Sequence, residues 1–90
     1  MARARSGSLR SYVAANARRL REERGLTQEE FAPRIGTSPR YLRSIETSDA
    51  NVTLDTLELL AAKLGVDPLE LLRPAQVVLR GRGRPAKKQR

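Results

Sequence analysis

Residues 27–46 contain the pattern that most restricts the fold: two short helix-forming segments joined by a tight turn. Thr27 followed by Glu30 forms a capping box, which marks a helix N-terminus. Gly36 can supply the positive φ that a sharp turn after this helix requires. Pro39 lies where the first turn of a second helix tolerates proline. The pattern therefore predicts two short helices that meet at a steep angle.

Helical periodicity continues on both sides of this pair. It predicts a first helix from about Ser11 to Gly25, a fourth helix over 54–64 and a short fifth helix that begins at Asp67-Pro68. The apolar residues of the fourth helix that are predicted to face the core are Leu54, Leu57, Leu60, Ala61 and Leu64. The predicted fold is therefore all-α, a bundle of five helices.

Two local features interrupt this regular pattern. Pro33 falls inside the second helix, where it removes a backbone donor and should introduce strain or early fraying. The apolar run 77–79 is β-branched and could form one short strand. The chain divides into a flexible basic arm (1–10), a helical domain (11–73), a dimerisation or docking segment (74–79) and a disordered basic tail (80–90).

Length and composition exclude several classes of function. The chain has 90 residues and contains neither cysteine nor histidine. A disulfide framework and a thiolate metal site are therefore excluded, and the commonest general base is absent. No apolar run reaches the roughly 18 residues that a membrane span needs. The sequence predicts a non-enzymatic cytoplasmic protein with no cofactor, no metal and no membrane partner.

The positive charge lies at the two ends of the chain. The net charge is +8, but residues 11–79 carry nine basic and ten acidic residues. Residues 1–10 contain three arginines and residues 80–90 contain six basic residues, with no acid in either segment. Basic arms on a nearly neutral domain are typical of proteins that bind a polyanion.

Four spaced segments carry a resemblance to a known family. They are Arg-x-x-Arg-Gly-Leu-Thr-Gln-Glu-Glu-Phe-Ala (21–32), Ile-Gly-Thr-Ser (35–38), Tyr-Leu-Arg-Ser-Ile-Glu (41–46) and Leu-Glu-Leu-Leu-Ala-Ala-Lys-Leu-Gly-Val (57–66). Together they resemble the Cro/phage-repressor (XRE-type) helix-turn-helix family. Within that family, residues 40–42 and 51–54 are similar to the controller proteins of restriction–modification systems. The resemblance implies a transcriptional regulator that binds double-stranded DNA.

The resemblance also implies roles for individual residues. Gln28 matches a position that binds a DNA phosphate, and Arg21 and Glu46 match a structural salt bridge between the first and third helices. Arg40 is the candidate base reader, because a guanidinium can bond guanine through two hydrogen bonds. The residues expected at the DNA groove are Ser38, Pro39, Arg40, Tyr41, Arg43 and Ser44. The chain departs from the family pattern at Pro33, at Pro39 and at Thr47-Ser48, where a glycine is usual.

The basic tail contains a second short motif. Arg82-Gly83-Arg84-Pro85 is similar to the core of an AT-hook. An extended Arg-Gly-Arg segment is slim enough to lie in a narrow A·T-rich minor groove, whose negative potential attracts both arginines. Alternatively, the tail is a non-specific basic segment that binds phosphates.

An apolar surface near the C-terminus is the candidate for self-association. Proteins of this class normally bind palindromic sites as two-fold dimers. The candidate dimer residues are Leu69, Leu72, Val77, Val78 and Leu79. The same residues could instead close the hydrophobic core of the monomer.

The sequence leaves four readings open. The leading hypothesis is a regulator, a repressor or an activator, that is associated with the nucleoid and binds DNA as a homodimer. A second hypothesis is the antitoxin of a toxin–antitoxin pair, which would bind a toxin through the same domain. A third, from a different class, is an adaptor that uses the bundle to hold another protein. A fourth, permitted by the basic tail, is an architectural protein that bends or coats A·T-rich DNA with little specificity.

Overall fold

The computed structural model describes residues 8–75, which form a bundle of five α-helices and one 3₁₀ helix. The α-helices are α1 (Leu9–Glu23), α2 (Gln28–Phe31), α3 (Pro39–Glu46), α4 (Leu54–Leu64) and α5 (Pro68–Leu71). The 3₁₀ helix (Ala32–Ile35) continues α2 without a break. The predicted all-α fold with five helices is confirmed. Over residues 8–75, none of the helices combines the length and hydrophobicity that crossing a lipid bilayer requires.

Side-chain caps fix where the helices begin. In the predicted capping box, the Thr27 hydroxyl accepts from the backbone N–H of Glu30, and the Glu30 carboxylate accepts from the backbone N–H of Thr27. Ser38 caps α3, with Pro39 as its first residue. Ser8 caps α1, so this helix begins at Leu9, two residues before the predicted start. These bonds satisfy backbone donors that a helix N-terminus otherwise leaves unpaired.

Pro33 changes the type of helix rather than ending it. The chain leaves α2 at Phe31 and continues as the 3₁₀ helix, which contains Pro33 and is buried at Ala32 and Ile35. Proline lacks the N–H that a longer α-helix would use, and a tighter 3₁₀ turn accommodates it near its start. Gly36 then reverses the chain with a φ of +69°.

The core lies between α1, which packs against α3, α4 and α5, and the short α2 with its 3₁₀ continuation, which packs against α3 and α4. Its largest fully buried side chains are Phe31, Leu42, Ile45, Leu60, Leu64 and Leu71. Asn16 of α1 is also buried, and its side-chain amide donates to the carbonyl oxygens of Leu71 and Arg73 at 3.1 and 3.0 Å. This amide holds the end of α5 against α1, because it pairs the carbonyl of Leu71, the last residue of α5, and that of Arg73 just beyond the helix.

The prediction that Leu54 faces the core is wrong. Leu57, Leu60, Ala61 and Leu64 are buried as predicted, but Leu54 is 75% exposed. Leu54 is the first residue of α4, and no other described element covers this first turn. The predicted strand at 77–79 lies outside the described residues, as do most of the N-terminal arm and the whole basic tail.

Ser48 adopts the backbone conformation that glycine normally supplies after a helix. Its φ is +69°, and it is the one non-glycine residue with a positive φ among residues 8–75. The backbone N–H groups of Ser48 and Asp49 donate to the carbonyls of Ile45 and Ser44, at 3.2 and 2.8 Å. This is the Schellman pattern, and glycine holds the equivalent position at Gly25, Gly36 and Gly65. The loop after α3 therefore keeps the standard geometry at the expense of local strain.

Replacing Ser48 by glycine should raise the free energy of unfolding by up to about 1 kcal/mol. The left-handed conformation costs a non-glycine residue roughly 1–2 kcal/mol. The greater freedom of glycine in the unfolded chain offsets part of that gain, about 0.4–1 kcal/mol. Urea denaturation followed by circular dichroism measures the difference. Ser48→Ala is the matched control: it keeps the strain and should bring no gain, so equal stabilisation by both variants would contradict this account.

Candidate nucleic-acid interface

Helix α3 is strongly amphipathic. Its inner side buries Leu42, Ile45 and Glu46 against the domain. Arg40 and Arg43, which are three residues apart, are both exposed. Residues at this spacing are neighbours on a helix surface, so the two arginines form one outward-facing pair. The helix therefore presents positive charge to solvent while its other side is fixed in the core.

An ion pair across the bundle holds α3 in this orientation. Nε and Nη2 of Arg21 donate to the two carboxylate oxygens of Glu46, at 2.7 and 2.9 Å. The side chains are only 9% and 2% exposed, respectively. Nη1 of Arg21 donates to the carbonyl of Leu26 at 2.6 Å, which fixes the turn after α1 as well. The hydrogen bonds to Glu46 raise the pKa of Arg21 above its already high ordinary value, so the guanidinium stays charged.

Gln28 joins the same network. Its side-chain amide nitrogen donates to Oε1 of Glu46 at 3.0 Å. Glu46 thus accepts from α1 and from the start of α2, and it anchors the end of α3 to both. An amide nitrogen carries two hydrogens, so Gln28 retains one N–H for another acceptor while Glu46 orients the group.

Four other residues expected at the groove have roles within α3. The Ser38 hydroxyl accepts from the backbone N–H of Tyr41 at 3.1 Å, and as an acceptor it keeps its own hydrogen for donation. The Ser44 hydroxyl donates to the carbonyl of Tyr41 at 2.6 Å. Tyr41 is half-buried against the core, and Pro39 is half-buried at the first position of α3. Ser38 therefore has a spare donor for a ligand, whereas the hydrogen of Ser44 is already used.

The basic residues fall into two groups according to their partners. Arg18, Arg19 and Arg73 each form an ion pair with a glutamate three or four residues away. Within residues 8–75, Arg40 and Arg43 take part in no ion pair. Charge left unpaired on a fixed helix face is available to an anionic ligand.

Arg34 belongs to the second group and was missed by the sequence reasoning. It is exposed on the 3₁₀ helix, directly before the Ile35-Gly36 turn that leads to α3, and takes part in no ion pair among the described residues. The position of Arg34 next to the turn was the signal available in the sequence. The sequence did not show that this side chain is exposed, because the side of the segment that faces solvent depends on how Pro33 bends the chain.

The candidate dimer residues separate into two environments where the structure describes them. Leu69 of α5 is 67% exposed. Leu72 is half-buried and packs against the core. Val77, Val78 and Leu79 lie outside the described residues, and so do Arg82 and Arg84 of the AT-hook-like motif.

Comparisons with known proteins identify the family. Residues 18–71 match the HTH_3 family model, described as helix-turn-helix. An uncharacterized HTH-type transcriptional regulator, y4dJ, from Sinorhizobium fredii is 48% identical over 66 residues, which are 73% of this chain and 86% of that protein. The crystal structure of a hypothetical transcription factor, NHTF, from Neisseria is 35% identical with a TM-score of 0.73, and the match covers 79% of this chain and 82% of that one.

A restriction–modification controller is also among the similar structures. C.AhdI from Aeromonas hydrophila is 32% identical with a TM-score of 0.65, over 69% of this chain and 94% of that one. The predicted family resemblance is thereby confirmed, and the match spans α2, its 3₁₀ continuation and α3. The chain belongs to the HTH_3 helix-turn-helix family.

Proposed function

We propose that the chain is a sequence-specific double-stranded DNA-binding transcriptional regulator that acts in the cytoplasm at the nucleoid. The observation that carries this proposal is the exposed pair Arg40 and Arg43 on α3, whose opposite side is buried. A B-DNA major groove admits one α-helix, and a guanidinium there can read guanine through two hydrogen bonds. Arg40, one residue into α3, is the proposed base reader, because the N-terminal part of a recognition helix contacts the bases.

The surrounding residues are proposed to position α3 on the DNA backbone. Ser38 and Gln28 each keep one hydrogen that can be donated to a phosphate oxygen. Arg34 is proposed as an additional phosphate contact, because it is exposed beside the turn between the two helices. Tyr41, Ser44 and Pro39 are proposed to contribute mainly through the shape of the helix surface. The Ser44 hydroxyl is bonded within α3, Tyr41 packs partly against the core and Pro39 is half-buried.

The binding unit is proposed to be a homodimer on a palindromic site. One helix of this size reads only a few base pairs, and a two-fold dimer places two such helices about 34 Å apart on one side of the DNA. Leu69 is the described residue that favours an interface, because a leucine this exposed on α5 is available to a second copy. The basic tail with Arg82 and Arg84 is proposed to add contacts in the minor groove or to phosphates.

Selection from a random pool of double-stranded DNA at near-physiological salt tests this proposal. The full-length protein, a 1–79 truncation and an Arg40→Ala/Arg43→Ala double variant are compared side by side. We expect the full-length protein and the truncation to enrich the same palindrome, and the double variant to enrich no palindrome.

Two outcomes would contradict a regulator that reads DNA through α3. In the first, the full-length protein enriches only A·T-rich tracts and the truncation enriches nothing, so the tail is the reader. In the second, the double variant enriches the wild-type palindrome with undiminished affinity, so α3 is not the reading element. Undiminished binding of the double variant to a toxin or another protein would favour the antitoxin or adaptor hypothesis.

A further inference from the structure

An apolar groove lies at the N-terminal ends of α1 and α4. It has a volume of about 320 Å³, and its apolar lining comes from Leu9, Val13, Val52, Leu54, Leu57 and Leu72. Leu54 is 75% exposed and Leu9 is 62% exposed, so each exposes a large apolar side chain to solvent. Within residues 8–75, no element covers them. Exposed apolar side chains that line one groove are a candidate site for another apolar segment.

One of the groove residues lies close to the C-terminal end of the described chain. Leu72 lines the groove, and the described residues end three positions later, at Ala75. The buried Asn16 holds the carbonyl of Arg73 on α1 at 3.0 Å. Val77 follows only four residues later, and four extended residues span at most about 14 Å. The groove is therefore within reach of the apolar segment 77–79.

The segment also matches the groove in chemistry. Val77, Val78 and Leu79 are consecutive apolar residues, and the charged tail begins immediately afterwards at Arg80. The groove lining is mostly apolar, and one edge is formed by Arg10 and Asn51, whose side chains are joined by a hydrogen bond of 2.6 Å. Burying apolar side chains against such a lining stabilises a fold in proportion to the area removed from water.

We propose that residues Val77–Leu79 of the same chain fill this groove and cover Leu54 and Leu9. The segment is then part of the monomer core, and among the candidate dimer residues only Leu69 remains exposed for a second copy. Under this proposal the basic tail leaves the domain at a defined place, beside Leu9, where the N-terminal arm joins α1. The placement of the segment does not depend on DNA binding, so its test is independent of the proposed function.

Disulfide trapping tests the proposal in the full chain, which has no native cysteine. A Leu54→Cys/Val78→Cys variant, oxidised at low micromolar concentration, should form an intramolecular disulfide detectable by mass spectrometry and non-reducing electrophoresis. A Lys63→Cys/Val78→Cys variant is the control, because Lys63 is exposed and lies nine residues further along α4, about 13 Å away. We expect the first pair to form its disulfide at least ten-fold faster, since a disulfide needs its two Cα atoms within about 7 Å.

Equal rates for the two pairs would overturn the proposal. So would a disulfide between chains in an equimolar mixture of the Leu54→Cys and Val78→Cys single variants, because that places the segment on a second copy. Thermal unfolding gives a second test if oxidation perturbs the fold. Leu54→Gln and Val78→Gln should each lower Tm by about 4–8 °C, and the double variant should lower it no further. A fully additive loss, or no loss from Leu54→Gln, would also overturn the proposal.

Discussion

Replacing Glu46 by glutamine should lower the free energy of unfolding by about 3–5 kcal/mol. The substitution keeps the size of the side chain but removes the buried counter-charge of Arg21, whose side chain is 9% exposed. Only the exposed carboxylate of Glu22 then remains near the guanidinium, at 3.9 Å. Removing one member of a buried ion pair has a cost of this size because the other charge stays desolvated. Urea denaturation followed by circular dichroism measures the loss.

The matched comparison is a double variant, Arg21→Met/Glu46→Leu, that removes both charges. It should regain most of the lost stability, because two apolar side chains of similar volume need no counter-charge. Gln28→Ala, which removes the neutral donor to Glu46, should cost only about 1 kcal/mol. A loss below about 1 kcal/mol in Glu46→Gln would be typical of a solvated surface pair and would contradict the anchoring role of Glu46.

Local sequence signals were sufficient for most helix boundaries. The capping box at Thr27, the positive φ of Gly36 and the cap at Ser38 each depend on residues within a few positions, so they can be recognised without knowledge of the packing. The left-handed backbone conformation of Ser48 could not be recognised from such local signals. This conformation is set by the end of α3, and serine gives no signal for it.

The features that sequence reasoning missed depend on contacts between distant segments. The exposure of Leu54 is set by what packs over the first turn of α4, and the helical period alone cannot show this. The bond from Gln28 to Glu46 joins residues 18 positions apart, on different helices. The salt bridge between Arg21 and Glu46 was predicted only from the family resemblance, because periodicity would not have distinguished these residues from solvated charges.

Substituting Arg40 should separate sequence recognition from general affinity for DNA. Arg40→Ala is expected to weaken binding to the selected site by roughly 5- to 150-fold, the range that corresponds to about 1–3 kcal/mol for one base-reading arginine. Binding to unrelated DNA should fall much less. Fluorescence anisotropy with the selected duplex and with a scrambled duplex of equal length measures both affinities.

Lysine variants distinguish a base contact from a phosphate contact. Arg40→Lys keeps the positive charge but loses the planar guanidinium that bonds one guanine twice, so it should lose discrimination while binding to the scrambled duplex stays close to wild type. If Arg43 binds a phosphate, Arg43→Lys should leave both affinities almost unchanged, and Arg43→Ala should lower both together. Arg43→Ala should also reduce the slope of log affinity against log salt concentration by about 0.9, because it removes one phosphate contact.

The control for net charge is Arg18→Ala, which removes one positive charge from the exposed side of α1. Arg18 already pairs with Glu22 at 3.1 Å, so its removal should change the ratio between the two duplexes by less than two-fold. A loss of discrimination in Arg18→Ala equal to that in Arg40→Ala would mean that overall charge, and not α3, determines binding. If Arg40→Lys retained full discrimination, a single positive charge would be sufficient at that position, and the direct reading of a base by Arg40 would have to be abandoned.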